Sequence, residues 1–150
     1  MHRSLIACGI ALASLSAAAA ERPRVEFLNP PGSEASGYPF SQAVRAGDTL
    51  YLSGQIGLDP KTGKLAPGGI EGEAKQTLQN VKDALAMHGH SLKDVVKCTV
   101  MLADIGEWGR FNEVYKTFFA PPYPARSAFA GSGLALGARV EVECIAYVGK

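Results

Sequence analysis

Two charged residues near the end of the chain, Arg126 and Glu141, have side chains that could bind and hydrate a small carboxylate. Arg126 lies in the segment PARS, and Glu141 lies in the alternating segment VEVE. A guanidinium can hold a planar carboxylate through two parallel hydrogen bonds, and a glutamate can accept a proton from water. If the two segments lie close together, both groups could share one pocket. The same two residues could instead form an ion pair that only closes a sheet.

The hydrophobic pattern predicts the elements that carry these residues. Apolar residues at helical spacing predict a helix over residues 70–85 that stops at Gly89. Asp104 is the predicted N-cap of a second helix, and we expect its aromatic stripe to lie in the core: Trp108, Phe111, Tyr115 and Phe118. Three prolines after residue 120 end this second helix. Strands are predicted over residues 40–45, 49–56 and 95–102, around Arg126 and over residues 139–148, with a loop over residues 57–69.

The predicted order is β-β-α-β-α-β-β, which indicates an α+β domain. Helices that link strands require crossovers, so we expect a mixed sheet with both helices on one face. Tyr51 alternates with Leu50 and Leu52, and Met101 alternates with its apolar neighbours, so apolar residues point to both faces of the sheet. A second copy of the same sheet is the simplest cover for the other face.

The first 20 residues have the pattern of a secretory signal peptide. Arg3 provides the positive start, residues 5–15 form an apolar stretch, and three alanines precede Glu21. The alternative is a buried N-terminal helix. We therefore predict a signal peptide over residues 1–20 and a periplasmic or secreted mature protein, with no other stretch long enough to span a membrane.

The remaining chain has the composition of one neutral globular domain. The full chain has 15 Lys and Arg against 14 Asp and Glu, and removal of the predicted signal peptide takes away Arg3 and no acid. Without a basic excess, nothing in the composition favours a nucleic-acid partner. We predict an irregular lead-in over residues 21–37 and a single domain over residues 38–150.

The cysteines and histidines leave two alternatives open. Cys98 and Cys144 lie inside apolar strand segments, where we expect free buried thiols, although an oxidising compartment permits a disulfide between them. Cys8 lies in the predicted signal peptide, where LIAC resembles a lipoprotein box that comes too early in the chain. His88 and His90 could contribute to a metal site, but no third ligand is evident, and we expect them to lie at a solvated helix end.

Several segments in uninterrupted order resemble the RidA/YjgF family, also called the L-PSP family. The resemblance covers residues 38–148. The segments that carry it are YPFSQAVRAGDTLYLSGQIGLDP, GGIEGEAKQTLQNVKDAL, DVVKCTVMLADI, FNEVYKTFF, YPARS and VEVECIA. The resemblance implies a chorismate-mutase-like fold in a homotrimer, with sheets around a central barrel, helices outside and clefts between subunits.

The resemblance also implies an activity and a set of site residues. Members with the matching arginine hydrolyse reactive 2-imino acids or their enamine tautomers to 2-keto acids and ammonia, without metal or cofactor. By position, Arg126 resembles the residue that holds the substrate carboxylate, and Glu141 the residue that activates water. Ser53 and Asn112 match polar positions near the cleft. Two positions differ from well-studied members: Phe40 replaces a frequent tyrosine, and Ala128 replaces a cysteine found in some members.

Two other functions remain as alternatives. A trimer that binds small carboxylates without turnover would use the same Arg126. An endoribonuclease activity, which the family name records for some members, is less favoured because the mature chain is neutral and no histidine lies in a cleft-forming segment.

Overall fold

The computed structural model describes residues 23–33 and 37–149, so the predicted signal peptide and its cleavage site lie outside the described residues. Two long helices and a mainly antiparallel sheet make up the domain. Their bounds are β1 (Val25–Leu28), β2 (Ala43–Ala46), β3 (Thr49–Leu52), β4 (Gln55–Ile56), β5 (Leu58–Asp59), β6 (Lys64–Leu65), α1 (Gly69–Met87), β7 (Val95–Leu102), α2 (Trp108–Phe118), β8 (Ala125–Ala130) and β9 (Val140–Tyr147).

Within the described residues the main sheet has the strand order β1-β2-β3-β9-β7-β8, and β4 also pairs with β9. Strands β7 and β8 are parallel, because α2 carries the chain back across the sheet between them. The other pairs in this sheet are antiparallel. The predicted mixed sheet of an α+β domain is therefore confirmed.

The structure refines the predicted elements in three places. The lead-in is not wholly irregular, because β1 pairs with β2 along its whole length. The strand predicted over residues 49–56 is interrupted at Ser53 and Gly54, so β3 and β4 pair with successive parts of β9. The predicted loop over residues 57–69 contains the short hairpin β5–β6.

Both helices pack on one face of the sheet around a single core. Helix α1 contacts both α2 and β9, as expected for helices that share a face. The apolar stripe of α1 is buried, and the helix ends just before Gly89, whose φ of 81° favours glycine. The largest fully buried side chains are Phe111, Leu50, Ile70, Leu78, Leu85 and Leu102.

The other face of the sheet exposes large apolar side chains. Tyr51 is 47% exposed between the buried Leu50 and Leu52, which is the alternation that the sequence predicts. Phe27, Phe129 and Tyr147 are also at least half exposed. Strand register places all of these residues on the face away from the core. Within the described residues, neither long helix covers this face.

Cys98 and Cys144 form a disulfide, so the expectation of two free thiols is wrong. The two residues are direct partners in the antiparallel pair β7–β9, and their Cα atoms are 4.1 Å apart. We expected that two positions inside strands would rarely meet disulfide geometry. Register overrides that expectation, because it places both side chains opposite each other on the core-facing side. Both residues are fully buried.

A buried carboxylate joins the helices to the start of β9. Glu107 is 2% exposed and accepts hydrogen bonds from Arg139 and from Arg110. The backbone N–H of Arg139 donates to Glu73 of α1 at 2.8 Å. Because a buried charge is tolerated only when it is paired, this network fixes how α1 and α2 meet the strand that carries Glu141.

Candidate functional site

Arg126 lies in a small cavity between β8 and α2. The residue is on the outermost strand of the main sheet, directly beside Cys98, and its side chain projects toward α2. The cavity has a volume of about 300 Å³. Its lining residues are Trp108, Asn112, Tyr115, Lys116, Tyr123, Pro124 and Arg126.

Among the described residues, an amide and aromatic rings hold the guanidinium of Arg126, and no acidic side chain pairs with it. Its Nη2 donates to Oδ1 of Asn112 at 2.6 Å, so the structure brings together two of the residues selected from the sequence. Three aromatic rings of α2 surround the guanidinium carbon, which lies 4.7 Å from the ring centre of Tyr115, 5.7 Å from that of Phe111 and 5.9 Å from that of Trp108. Among residues 23–33 and 37–149, no ion pair involves Arg126. The remaining N–H donors can therefore bind an entering carboxylate.

Tyr115 contributes a buried aromatic ring to this cavity. The residue is 4% exposed, and its hydroxyl has no hydrogen-bond partner in the part of the chain that the structure describes. Burial raises the pKa of Tyr115 to about 12, although the nearby Arg126 acts to lower it. The phenol therefore stays neutral at ordinary pH.

Glu141 lies in a second and larger cavity of about 860 Å³. The walls are mostly apolar and come from the C-terminal half of α1, the segment between β1 and β2, the break between β3 and β4, and the loop before β9. This cavity contains three residues selected from the sequence: Glu141, Ser53 and Phe40. Other lining residues are Tyr38, Gln42, Gln55, Ile56, Leu58, Asn80, Met87 and Leu136.

The break between β3 and β4 makes room for the carboxylate of Glu141. A Cβ atom on Gly54 would lie 2.8 Å from Cδ of Glu141 and would overlap its Oε1. Burial raises the pKa of the Glu141 carboxyl above its usual value, and the nearby Glu143 raises it further. A raised pKa makes this carboxylate a stronger base than an exposed glutamate. Gly54 was not among the candidate residues selected from the sequence, although a glycine inside a predicted strand often marks a close approach of another group to the backbone.

The remaining selected residues have supporting positions. Ser53 donates its hydroxyl to the backbone oxygen of Ser41 at 2.6 Å and so closes the loop that carries Phe40. Phe40 is 59% exposed and stacks on Tyr38 with ring centres 5.2 Å apart. Ala128 is half-buried against the core and lines neither of the two cavities, as far as the described residues show.

Arg126 and Glu141 do not share a pocket within one chain. Strand β7 lies between β8 and β9. Arg126 pairs with Cys98, which faces the core. Glu141 pairs with Met101, which lies three residues further along β7 and therefore faces the opposite side of the sheet. In the single chain Arg126 therefore does not act on Glu141, and burial raises the pKa of the Glu141 carboxyl.

The two histidines lie at the C-terminal end of α1. Nε2 of His88 is 3.2 Å from Oε1 of Gln42, and burial lowers the pKa of His88, with a smaller contribution from His90. No group of three His, Cys, Asp or Glu side chains in the described part of the chain could hold a metal ion. No described helix is both long enough and apolar enough to cross a membrane.

Comparisons with known proteins match nearly the whole described chain. The family model described as Endoribonuclease L-PSP matches residues 32–148. The chain is 50% identical over 111 residues to a mouse (Mus musculus) protein named 2-iminobutanoate/2-iminopropanoate deaminase, covering 74% of this chain and 82% of the mouse protein.

Solved structures show the same fold. The crystal structure of RidA from the Antarctic bacterium Psychrobacter is 41% identical, with a TM-score of 0.71, and the match covers 75% of this chain and 90% of that one. The E. coli protein TdcF, crystallised with bound serine, is 35% identical, with a TM-score of 0.70 and the same coverage. By the family model and by these relatives, the chain belongs to the RidA/L-PSP family.

Proposed function

We propose that the chain hydrolyses reactive 2-imino acids or their enamine tautomers to 2-keto acids and ammonia. The proposal rests on the environment of the Arg126 guanidinium. Asn112 and three aromatic rings contact this group, and no acidic side chain among the described residues pairs with it. The deaminase name of the mouse relative supports the same chemistry, with 2-iminobutanoate and 2-iminopropanoate as substrates.

In the proposed reaction Arg126 binds the substrate and Glu141 transfers the proton. Arg126 holds the carboxylate of the imino acid, so that the adjacent C=N carbon is fixed in position. Glu141 accepts a proton as water attacks this carbon and returns it to the nitrogen of the tetrahedral adduct. The C–N bond then breaks as the hydroxyl proton moves to the nitrogen, which releases ammonia and the 2-keto acid. An imine carbon is already electrophilic, so placing the substrate and one water supplies most of the required catalysis.

A complete site requires a second copy of the chain. Arg126 and Glu141 lie in separate cavities, and strand register places the two residues on opposite sides of the sheet, so a single chain does not bring them to the same substrate. The exposed apolar face with Phe27, Tyr51 and Phe129 provides a surface for association. We propose a homotrimer in which each cleft combines the Arg126 cavity of one subunit with the Glu141 cavity of its neighbour.

We also propose export to the periplasm or outside the cell. The pattern of residues 1–20 is the basis, and the Cys98–Cys144 disulfide supports it, because disulfides persist mainly in oxidising compartments. The exported protein should begin at Glu21. The intact mass of soluble exported protein tests this, and a mass that retains residues 1–20 would contradict it.

Activity can be tested with imines generated in place. An amino-acid oxidase produces the 2-imino acid, semicarbazide traps the fraction that survives, and purified protein should lower the trapped amount in proportion to its concentration. A matched sample with Arg126→Lys controls for nonspecific hydrolysis, because lysine keeps the positive charge but lacks the planar guanidinium and its parallel N–H donors. Unchanged trapping with wild-type protein would refute the deaminase proposal.

Binding without turnover is the second candidate. The structure of TdcF with bound serine shows that a relative can hold a small amino acid. Saturable binding of a 2-keto acid without imine hydrolysis would favour this function. An endoribonuclease has less support, because neither cavity is lined by a histidine in the described part of the chain and the predicted mature chain has no net charge.

A further inference from the structure

The guanidinium of Arg126 is packed against one side of α2. Trp108, Phe111 and Tyr115 follow one another at helical spacing, so their rings lie on the side of the helix that faces the arginine. The ring of Tyr115 is the nearest, at 4.7 Å, and it is the most deeply placed ring that lines the cavity. This distance is within the range of a favourable contact between a cation and an aromatic ring.

An aromatic contact orients an arginine in a different way from a carboxylate contact. A carboxylate would occupy the in-plane N–H donors of Arg126 and would compete with a substrate for them. A ring that lies over the face of the guanidinium attracts the charge and leaves the in-plane donors free. Asn112 takes one donor at 2.6 Å, and no acidic side chain takes another among the described residues.

We infer that Tyr115 is a positioning residue for carboxylate recognition, whose ring fixes the plane of the Arg126 guanidinium while its donors stay available to the substrate. This inference rests on the proposed function of the Arg126 cavity. The ring carries the effect, because the hydroxyl is buried and without a partner in the described chain. Tyr115→Phe keeps the ring and should therefore keep carboxylate recognition. Tyr115→Leu removes the ring and should weaken carboxylate recognition.

Phe119 offers a matched control for the packing that Tyr115→Leu would lose. Its ring stacks on Tyr115 with centres 4.5 Å apart, and it is equally buried at 4% exposure. It makes no aromatic contact with Arg126, unlike the three residues of α2. Phe119→Leu therefore disturbs the same aromatic cluster and tests how much of any effect comes from packing alone.

The test measures substrate capture in two independent ways. Steady-state kinetics with trapped imines give kcat and KM, and the fluorescence of Trp108 reports binding of 2-oxobutanoate, because Trp108 is the single tryptophan and lines the cavity. For Tyr115→Leu we expect KM and the Kd for the keto acid to rise by roughly 2- to 30-fold, the range of a contact between a cation and a ring, with a smaller change in kcat. Melting temperature is recorded for each variant.

The outcomes separate this inference from the proposed function. Support requires a rise in KM and Kd for Tyr115→Leu that exceeds the rise for Phe119→Leu, together with values near wild type for Tyr115→Phe. Equal effects of the two leucine variants, or no effect of Tyr115→Leu, would overturn the positioning role while wild-type hydrolysis still supports the proposed function. If wild-type protein hydrolyses no imine, the proposed function fails, and the Kd values alone then decide whether Tyr115 orients Arg126.

Discussion

Co-expression of two inactive variants tests whether one active site draws on two chains. Arg126→Ala removes the carboxylate grip, and Glu141→Gln removes the proton acceptor, so each variant alone should be inactive. The two residues occupy separate cavities of one chain, and β7 lies between the strands that carry them. In a mixed assembly, a subunit that keeps Arg126 can meet a neighbour that keeps Glu141. Such a cleft contains both intact groups.

The expected recovery follows from counting the possible clefts. With equal amounts and random assembly, half of the subunits keep Arg126 and half of their neighbours keep Glu141, so about one quarter of the clefts are intact in a closed symmetric oligomer. Imine hydrolysis should therefore return to about 25% of the wild-type rate per subunit. Tagging each variant differently and purifying through both tags ensures that only mixed assemblies are assayed, which raises the expected fraction to about one third for a trimer.

A control and a refuting result complete this experiment. Co-expression of Arg126→Ala with the double variant Arg126→Ala/Glu141→Gln should give no recovery, because no subunit then supplies the arginine. If the mixed assemblies of the two single variants stay inactive although wild-type protein assembles and is active, the two residues do not act across an interface. The reasoning from the two cavities would then be wrong.

Five further predictions concern Arg126, Glu141, the disulfide and Phe40. Arg126→Lys should lower kcat/KM by about 10- to 100-fold, because lysine cannot form two parallel hydrogen bonds with the substrate carboxylate. An unchanged kcat/KM would show that Arg126 has only a structural role. Glu141→Gln should lower kcat by ~10²–10⁴-fold. In wild type, kcat/KM should fall at acidic pH as Glu141 loses its basic form, because burial raises the pKa of this carboxyl above its usual value; the same decline in Glu141→Gln would exclude Glu141 as the base. Thiol alkylation of denatured, unreduced mature protein should label neither Cys98 nor Cys144. Replacing both cysteines by alanine should lower the free energy of unfolding by about 2–4 kcal/mol, as measured by denaturant titration at fixed protein concentration. Phe40→Tyr should be neutral or mildly activating in the trapped-imine assay, and a large loss would show that the exposed ring of Phe40 has a role that a phenol cannot fill.

Most of the long elements could be predicted from the sequence because their patterns are local. The predicted strand over residues 95–102 matches β7, and the stripe that starts at Ile70 and ends before Gly89 matches α1. Strand β1 was not predicted, because its four residues form a strand only by pairing with β2, which is a tertiary contact. The disulfide escaped for the same reason, since only register places Cys98 opposite Cys144.

The candidate site was predictable by residue type but not by arrangement. Arg126 and Asn112 were both selected from the sequence, and the structure joins them by a hydrogen bond. The separation of Arg126 from Glu141 depends on strand order, which no local pattern contains. Tyr115 looked like an ordinary core residue of an aromatic stripe, and the unpartnered hydroxyl and nearby guanidinium that distinguish it are visible only in three dimensions.

The close approach of Gly54 to Glu141 limits how this family can diversify. A side chain at position 54 would take the space of the Glu141 carboxylate, so a mutation there would displace the acid without changing it. Loss of Glu141, in contrast, would release position 54 to accept larger residues. Position 54 can therefore serve as a marker: a bulky residue at this position predicts that the carboxylate has moved or has been lost, even where a glutamate aligns with Glu141.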